Sequence, residues 1–294
     1  MVKGAIIINP FLTPLESVHQ AERLTEEFSL LGVSVKTVTD AFLRSFTDKS
    51  EIYTELKELD FAVYLDKDKY QSQILENAGV RLFNRHNAIR VCDDKAETII
   101  ALKNQNLNIP KTVFGGLCYR NDLKINALWA EKIAEQLNFP VVVKESFGSM
   151  GKGVYIANDI NELIAVMEKV KLKPHIFQQY IGGKIGVDVR VIVIGGKAVA
   201  AMERRNDGDF RSNVAQGGVG VKIDLPLEFK NAAEKCAQVL GLDYCGVDLL
   251  YGVSGEPYVC EVNSNAFFSG IEKATNVNVA KLYAEHILKI VKGK

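Results

Sequence analysis

Two carboxylates and an amide near the base of one hairpin form the sharpest chemical pattern in this 294-residue chain. In YCGVDLLYGVSGEPYVCEVNS, a turn centred between Ser254 and Gly255 sets Asp248 opposite Glu261, and the two-residue strand period puts Asn263 on the same face as Glu261. Clustered carboxylates repel unless a proton or cation sits between them, and an all-oxygen set suits Mg²⁺. A solvated face with an accidental acidic pair has the same spacing. The run VCEVN leans toward the metal, because a charge between buried-type neighbours needs compensation.

FPVVVKESFGSMGKGV is the second pattern. Lys144 ends an apolar strand, and the following turn, with Gly148, Ser149, Gly151 and Gly153, offers backbone N–H groups to a phosphate beside an ammonium group. The lysine precedes the glycines and no Ser or Thr follows G-K, so this is not a P-loop; a hairpin tip without a ligand is the alternative. Lys95 falls in the first turn of a helix, where solvent exposure is the default. The third pattern is DVRVIVIGGKAVAAMERRNDGDFRSN. Strand alternation puts Asp188 and Arg190 on one face, and Arg204, Arg205 and Arg211 are dense for a segment otherwise ready to be core. A guanidinium fork suits carboxylates and phosphates, with ion pairs to Glu203, Asp207 and Asp209 as the structural alternative. Arg211, Ser212 and Asn213, followed by Gly217 and Gly218, read as a polar loop reaching over something.

These residues need elements to place them. Residues 1–90 alternate strand and helix: a buried strand at Ala5 to Ile8, a helix over Leu15–Leu31 with Val18, Ala21, Leu24, Phe28 and Leu31 as its apolar stripe, then strands in GVSVKTVT, FAVYLD and VRLFN. That is an α/β domain with a parallel sheet. It lacks G-x-G-x-x-G after its first strand, so no dinucleotide fingerprint supports it. Residues 91–175 form a small α+β domain carrying the glycine-rich loop, with a helix at INELIAVMEKV opened by Asp159 and Glu162 at capping-box spacing. Residues 176–294 are richer in antiparallel signals, with a hairpin at Gly195-Gly196, the acidic hairpin, a helix over Leu225–Leu240 and a closing helix over Ala280–Val291.

Composition narrows the function classes. The 36 Lys and Arg balance the 36 Asp and Glu, so no net field recruits nucleic acid or an anionic membrane. Hydrophobic residues at 47% and charged residues at 24% exclude a disordered chain and a membrane bundle. Five cysteines without C-x-x-C or zinc spacing read as reduced, which suits a cytoplasmic protein, and the five-residue apolar start is too short for a signal peptide.

Taken together, the patterns resemble the ATP-grasp superfamily and, within it, the ribosomal-protein-S6-modification (RimK-like) type of amino-acid ligase. The resemblance spans about residues 88–291. The two nucleotide lysines of that family fall on Lys95 and Lys144, and its adenine-holding linker on Gln178, Gln179, Tyr180 and Ile181, where Gln179 replaces a usual glutamate. Asp188 matches the ribose-side carboxylate, Arg190 the strand arginine, GDFRSN the family's own GDFRSN loop, and Asp248, Glu261 and Asn263 the magnesium triad. Ser264 to Phe268 depart from the usual A-S-P-G, on the acceptor side. The resemblance implies an ATP-grasp fold with nucleotide between the last two domains, and ATP with two Mg²⁺ ions, Mn²⁺ being a possible substitute. It also implies amide formation through an acyl phosphate, with L-glutamate or another amino acid added to a peptide, protein or small-molecule acceptor. Arg190, Arg204 and Arg211 are the candidates for stabilising the reacting groups. None of the four histidines falls in a match. A small-molecule kinase or a non-catalytic ATP-binding module would use the same nucleotide residues; a homo-oligomer is expected only from the frequency of symmetric assemblies.

Overall fold

The computed structural model describes residues 2–11, 15–39, 43–206, 208–212 and 218–293. Its first part contains β1 (Lys3–Ile8), α1 (Leu15–Leu30), β2 (Ser34–Thr39), β3 (Ser45–Asp48), β4 (Glu51–Thr54), β5 (Phe61–Leu65), α2 (Lys69–Asn77) and β6 (Leu82–Phe83). A parallel sheet of order β2-β1-β5-β6 results. Apolar residues run continuously along β1 because both faces are covered: Ile6 packs toward α1, while Ala5 and Ile7 pack with Leu75 of α2. Ala21, Leu24 and Phe28 of α1 are buried as the stripe requires, but Val18 is exposed. The β3–β4 hairpin carries no strong sequence signal and sits apart from this sheet.

Helices α3 (His86–Asp93) and α4 (Lys95–Leu102) follow as two pieces, divided at Asp94, whose carboxylate caps α4 through the N–H groups of Ala96 and Glu97. The central part holds β7 (Thr112–Phe114), α5 (Ala127–Leu137), β8 (Val141–Glu145), β9 (Val154–Ala157), α6 (Ile160–Val170) and β10 (His175–Gln179), in an antiparallel sheet of order β7-β10-β8-β9. Asp159 accepts from the N–H groups of Asn161 and Glu162, while Glu162 reaches back to Asn158. Met167 is fully buried between α6 and this sheet.

The last part holds β11 (Val187–Ile194), β12 (Lys197–Arg205), β13 (Val219–Lys222), α7 (Leu227–Leu240), β14 (Tyr244–Tyr251), β15 (Pro257–Asn263), α8 (Ser269–Thr275) and α9 (Val279–Val291). Its antiparallel sheet has the order β13-β12-β11-β14-β15. Gly195 and Gly196 turn β11 into β12 with φ of 56° and 76°, the left-handed pair that a two-residue hairpin turn requires. One face of the sheet carries Val189, Val191 and Val247 against α7, with α3 and α4 completing that core. The other face carries Ile192 and Tyr244 into a core shared with α1, α8, α9 and the parallel sheet. The first and last parts are therefore packed as one body, and the central sheet keeps a core of its own. Among the described residues no helix is long and apolar enough to cross a membrane.

Candidate active site

The central and C-terminal sheets face each other across a solvent-open cleft of about 910 Å³. Val142 and Lys144 of β8 and Val154 of β9 line one wall; Asp188 of β11, Arg204 of β12 and Asp248 of β14 line the other. Gly148, Ser149 and Gly151 lie at the cleft, as do Gln178 to Ile181 at the exit of β10. Most of the residues singled out in the sequence meet here, although they come from segments more than a hundred residues apart.

The acidic hairpin places Asp248 opposite Glu261 and Asn263 opposite Gly246. Its turn, however, is centred on Ser254, since Tyr251 pairs with Pro257 and Leu249 with Val259. A bulge at Cys260 absorbs the half-residue difference and restores the Asp248–Glu261 pair. A bulge locally interrupts the alternation of faces, so Cys260 and Glu261 both line the cleft. Cys260 Sγ lies 3.7 Å from Lys144 Nζ, and burial pushes its thiol pKa upward, keeping it protonated. Nothing in the spacing marks Cys260; a bulge is not legible from alternation alone.

The charges form a chain. Arg204 is buried and donates Nε and Nη2 to Asp188, with Nη2 also 2.9 Å from Asp248 Oδ2. Arg190 donates Nε and Nη2 to the two oxygens of Asp248, each at 2.7 Å. Burial works to raise the Asp248 pKa, but the two guanidinium groups outweigh it and hold the carboxyl below the usual range. Asp188 is displaced upward, mainly by burial, although Arg204 and the Ser212 hydroxyl both favour its ionised form. Both arginines are thus clamped along one edge, and among the described residues neither Nη1 has a hydrogen-bond partner. Arg190 does not line the cleft.

Lys95 is drawn inward instead of standing in solvent: its Nζ donates to Gly148 O at 2.8 Å and lies 3.3 Å from Glu261 Oε1. Arg211 is held by Asp209 and donates Nη1 to Gly151 O at 3.0 Å, so the GDFRS segment does reach across the glycine-rich loop. The alternative reading of that arginine as an ion pair is therefore also realised. Gln178 Nε2 donates to Thr112 Oγ1 at 3.0 Å, while Gln179 is exposed. Asp207, Asn213 and Gly217 lie outside the described residues.

A divalent ion can be tested against these groups. Among the described residues no three His, Cys, Asp or Glu side chains gather around one point, so an amide must complete any set. Glu261 has one loose cationic contact and faces the cleft. Among the described residues Asp248 Oδ1 accepts only from Arg190 Nε and retains a lone pair, whereas Oδ2 is taken by both arginines. Asn263 carries a buried amide nitrogen with no partner, so its amide is not committed within the protein. The donor set is all oxygen and fits Mg²⁺, with Asp248 contributing through one oxygen.

Residues 92–287 match the RimK-like ATP-grasp domain family. Human β-citrylglutamate synthase B is 37% identical over 232 residues, which is 78% of this chain and 58% of that protein. A probable α-L-glutamate ligase of Maridesulfovibrio salexigens is 35% identical over 218 residues, 73% of this chain and 69% of that protein. The chain spans less than two thirds of the human relative's length. Among solved structures, D-alanine–D-alanine ligase from Bacillus anthracis complexed with ATP superimposes with a TM-score of 0.74 at 21% identity, covering 100% of this chain and 99% of that one. The ATP-grasp ligase PsnB, complexed with Mg, ADP and a phosphomimetic variant of a minimal precursor, gives 0.70 at 16%, with the same coverage. These two likenesses establish the ATP-grasp fold.

Proposed function

We propose, from the premise that the chain belongs to the RimK-like ATP-grasp family, that it is an ATP-dependent ligase joining a carboxylate to the amine of L-glutamate. The observation that carries this reading is the position of Lys95. Its one ammonium group links the carbonyl of the glycine-rich loop to Glu261 of the acidic hairpin, at the point where both sheets converge.

The working parts are residues 1–90, 91–175 and 176–294, with ATP between the last two. Gln178, Gln179, Tyr180 and Ile181 hold the base, the last two through the backbone that follows β10 beyond its paired residues. Gly148, Ser149 and Gly151 wrap the phosphates, and Lys95 and Lys144 place positive charge beside them. Asp188 and Ser212 lie toward the sugar; Asn213, outside the described residues, is assigned to the nucleotide by its place in the GDFRSN motif alone. Glu261, Asp248 and Asn263 hold two Mg²⁺ ions, for which Mn²⁺ is a substitute. Bound there, the metal neutralises phosphate charge.

Phosphoryl transfer needs positioning and charge neutralisation more than a protein nucleophile. The γ-phosphoryl group passes to the acceptor carboxylate oxygen as ADP leaves; the amine then attacks the acyl carbon, phosphate leaves, and the amine proton goes to solvent or phosphate. Arg204 meets the developing charge through Nη1, since its other edge is spent on Asp188 and Asp248. Arg211 contributes by closing the segment over Gly151, which excludes water from the acyl phosphate. Arg190 is a third contributor, reached from the far side of Asp248. The acceptor is a small carboxylate or a peptide or protein terminus, and the reaction is cytoplasmic, in keeping with five unpaired cysteines.

The test is ADP release with ATP, Mg²⁺, L-glutamate and a panel of carboxylates, with product mass as the second readout. Amine-dependent ADP release with a new amide mass is the expected result. A phosphorylated product formed without any amine requirement would reject the ligase.

A further inference from the structure

Asn84 lies between β6 and α3, outside the family match of 92–287, and is 2% exposed. Its amide is committed in full to the open end of the acidic hairpin. Oδ1 accepts from the backbone N–H groups of Asp243 and Tyr244 at 2.8 and 3.0 Å, and Nδ2 donates to the carbonyls of Tyr244 and Ser264 at 2.7 and 2.8 Å. A primary amide has two donor hydrogens and two acceptor sites, so none is left over. The amide takes both polar groups of Tyr244 as a partner residue in an antiparallel ladder would, and its second N–H ties in the chain from the opposite strand.

That tie falls where the ladder stops. The last pair between β14 and β15 is Gly246 with Asn263, and the chain leaves the sheet at Ser264. It turns back closely enough that a Cβ built on Gly246 would stand 2.5 Å from the Ala266 Cβ. Asn84 therefore joins β14 to the first residue after Asn263. Asn263 depends on the join, because its amide nitrogen is buried with no partner among the described residues, so backbone position aims that side chain. Asp248 is held differently, by the grip of Arg190 and Arg204 on its carboxylate.

We propose that Asn84 is a positioning residue for the divalent-ion site: it sets the separation of β14 and β15 at Ser264 and thereby aims the Asn263 amide toward the ion held with Asp248 and Glu261. This rests on the reading of those three residues as the metal set. It gives the first part of the chain a share in the site, since β6 leads directly into Asn84 and is itself fixed by pairing Leu82 and Phe83 with β5. Coupling is reciprocal, so an ion that needs Asn263 in place also strengthens the bonds of Asn84.

Asn84→Ala leaves four backbone groups facing a space of amide size, a polar site that water can occupy, so the variant should fold with a lower Tm. Leu24→Ala empties a fully buried site on α1 without touching any of the four hydrogen bonds, and controls for lost stability alone. The experiment is Mn²⁺ binding to the full chain with a non-hydrolysable ATP analogue, read from the electron paramagnetic resonance signal of free Mn²⁺. The expected result is affinity about tenfold or more weaker in Asn84→Ala and parent-like in Leu24→Ala, with metal-free affinity for the analogue within about twofold in both. Parent-like Mn²⁺ affinity in Asn84→Ala, or equal weakening in Leu24→Ala, overturns the positioning role. A second measurement uses the parent alone: adding Mg²⁺ to the analogue-bound chain should slow amide exchange at Asp243 and Tyr244 more than at Leu24 and Phe28. An equal or smaller gain at Asp243 and Tyr244 overturns the role even if Asn84→Ala does not fold. Absence of Mn²⁺ binding by the parent removes the metal set and the inference with it. Neither measurement depends on turnover, so failure of the ligase reading would show separately, in the ADP-release panel.

Discussion

At the scale of single residues the site is a balance of buried charges in which each group has a different reserve. Asp248 is 2% exposed and satisfies two guanidinium groups, so removing its charge strands Arg190 and leaves Arg204 with Asp188 alone. Breaking a buried pair by removing one partner costs about 3–5 kcal/mol. Glu261 is less deeply buried and touches Lys95 through one loose contact of 3.3 Å, with no bidentate geometry to strengthen it. The two members of the proposed metal set should therefore separate in experiment. Glu261→Gln is expected to lose about a hundredfold or more in kcat with an unchanged Tm, because its carboxylate matters only when charge develops on the phosphates. Asp248→Asn is expected to lose turnover and to lower Tm by several degrees or more. Thermal unfolding beside single-turnover ADP formation checks both; equal Tm losses in the two variants would contradict the difference in their environments.

At the scale of elements the sequence was informative wherever chemistry coincided with periodicity. Asp248 and Glu261 could be paired because an antiparallel hairpin has only one partner for each position, and the pair survives although the turn is centred on Ser254. Two offsetting displacements, in the turn and at Cys260, produced the same register. Neither was legible, since a bulge depends on how the sheet twists and not on residue type. The inward turn of Lys95 was equally hidden: the sequence puts it in the first turn of a helix, where solvent exposure is the default, and carries no sign that α3 ends just before Asp94 and α4 starts just after it. The β3–β4 hairpin and α8 were missed because neither has enough residues to show a period. The glycine-rich loop was legible as flexible backbone, and the structure adds its tethers, Lys95 to Gly148 and Arg211 to Gly151. Arg211→Ala should release one of them. Hydrogen exchange across residues 146–153 is expected to quicken in that variant without nucleotide, and to slow in the parent when a Mg²⁺–ATP analogue binds. An exchange pattern indifferent to both changes would remove the loop from the phosphate site.

At the scale of the whole molecule the decisive feature is that the first and last parts of the chain share one core. Ile6, Phe28 and Phe61 meet Ile192, Tyr244 and Tyr283 within it, and Phe268 lies edge-on to Tyr244. Phe268 is therefore core, whereas Phe267 is only half-buried and remains the aromatic available to the acceptor side. Phe268→Ala should cost about 3–5 kcal/mol, the usual penalty for emptying a buried phenylalanine site. Phe267→Ala should leave Tm nearly unchanged and raise the acceptor KM without altering that of ATP. The same packing governs what can be cut away. A fragment of residues 86–294 keeps every proposed nucleotide and metal residue, yet it bares the face of the C-terminal sheet bearing Ile192, Ile194 and Tyr244. Large exposed apolar patches on a monomer drive association, and the fragment also loses its contribution from α1 to the shared core. It is expected to aggregate or to unfold without a cooperative transition, while the intact chain melts its first and last parts together. Calorimetry and sedimentation of the fragment decide the matter. A monomeric fragment with a sharp transition within a few degrees of the parent would show that the shared core is a contact between independent domains, and that the first part of the chain does not hold the site in place.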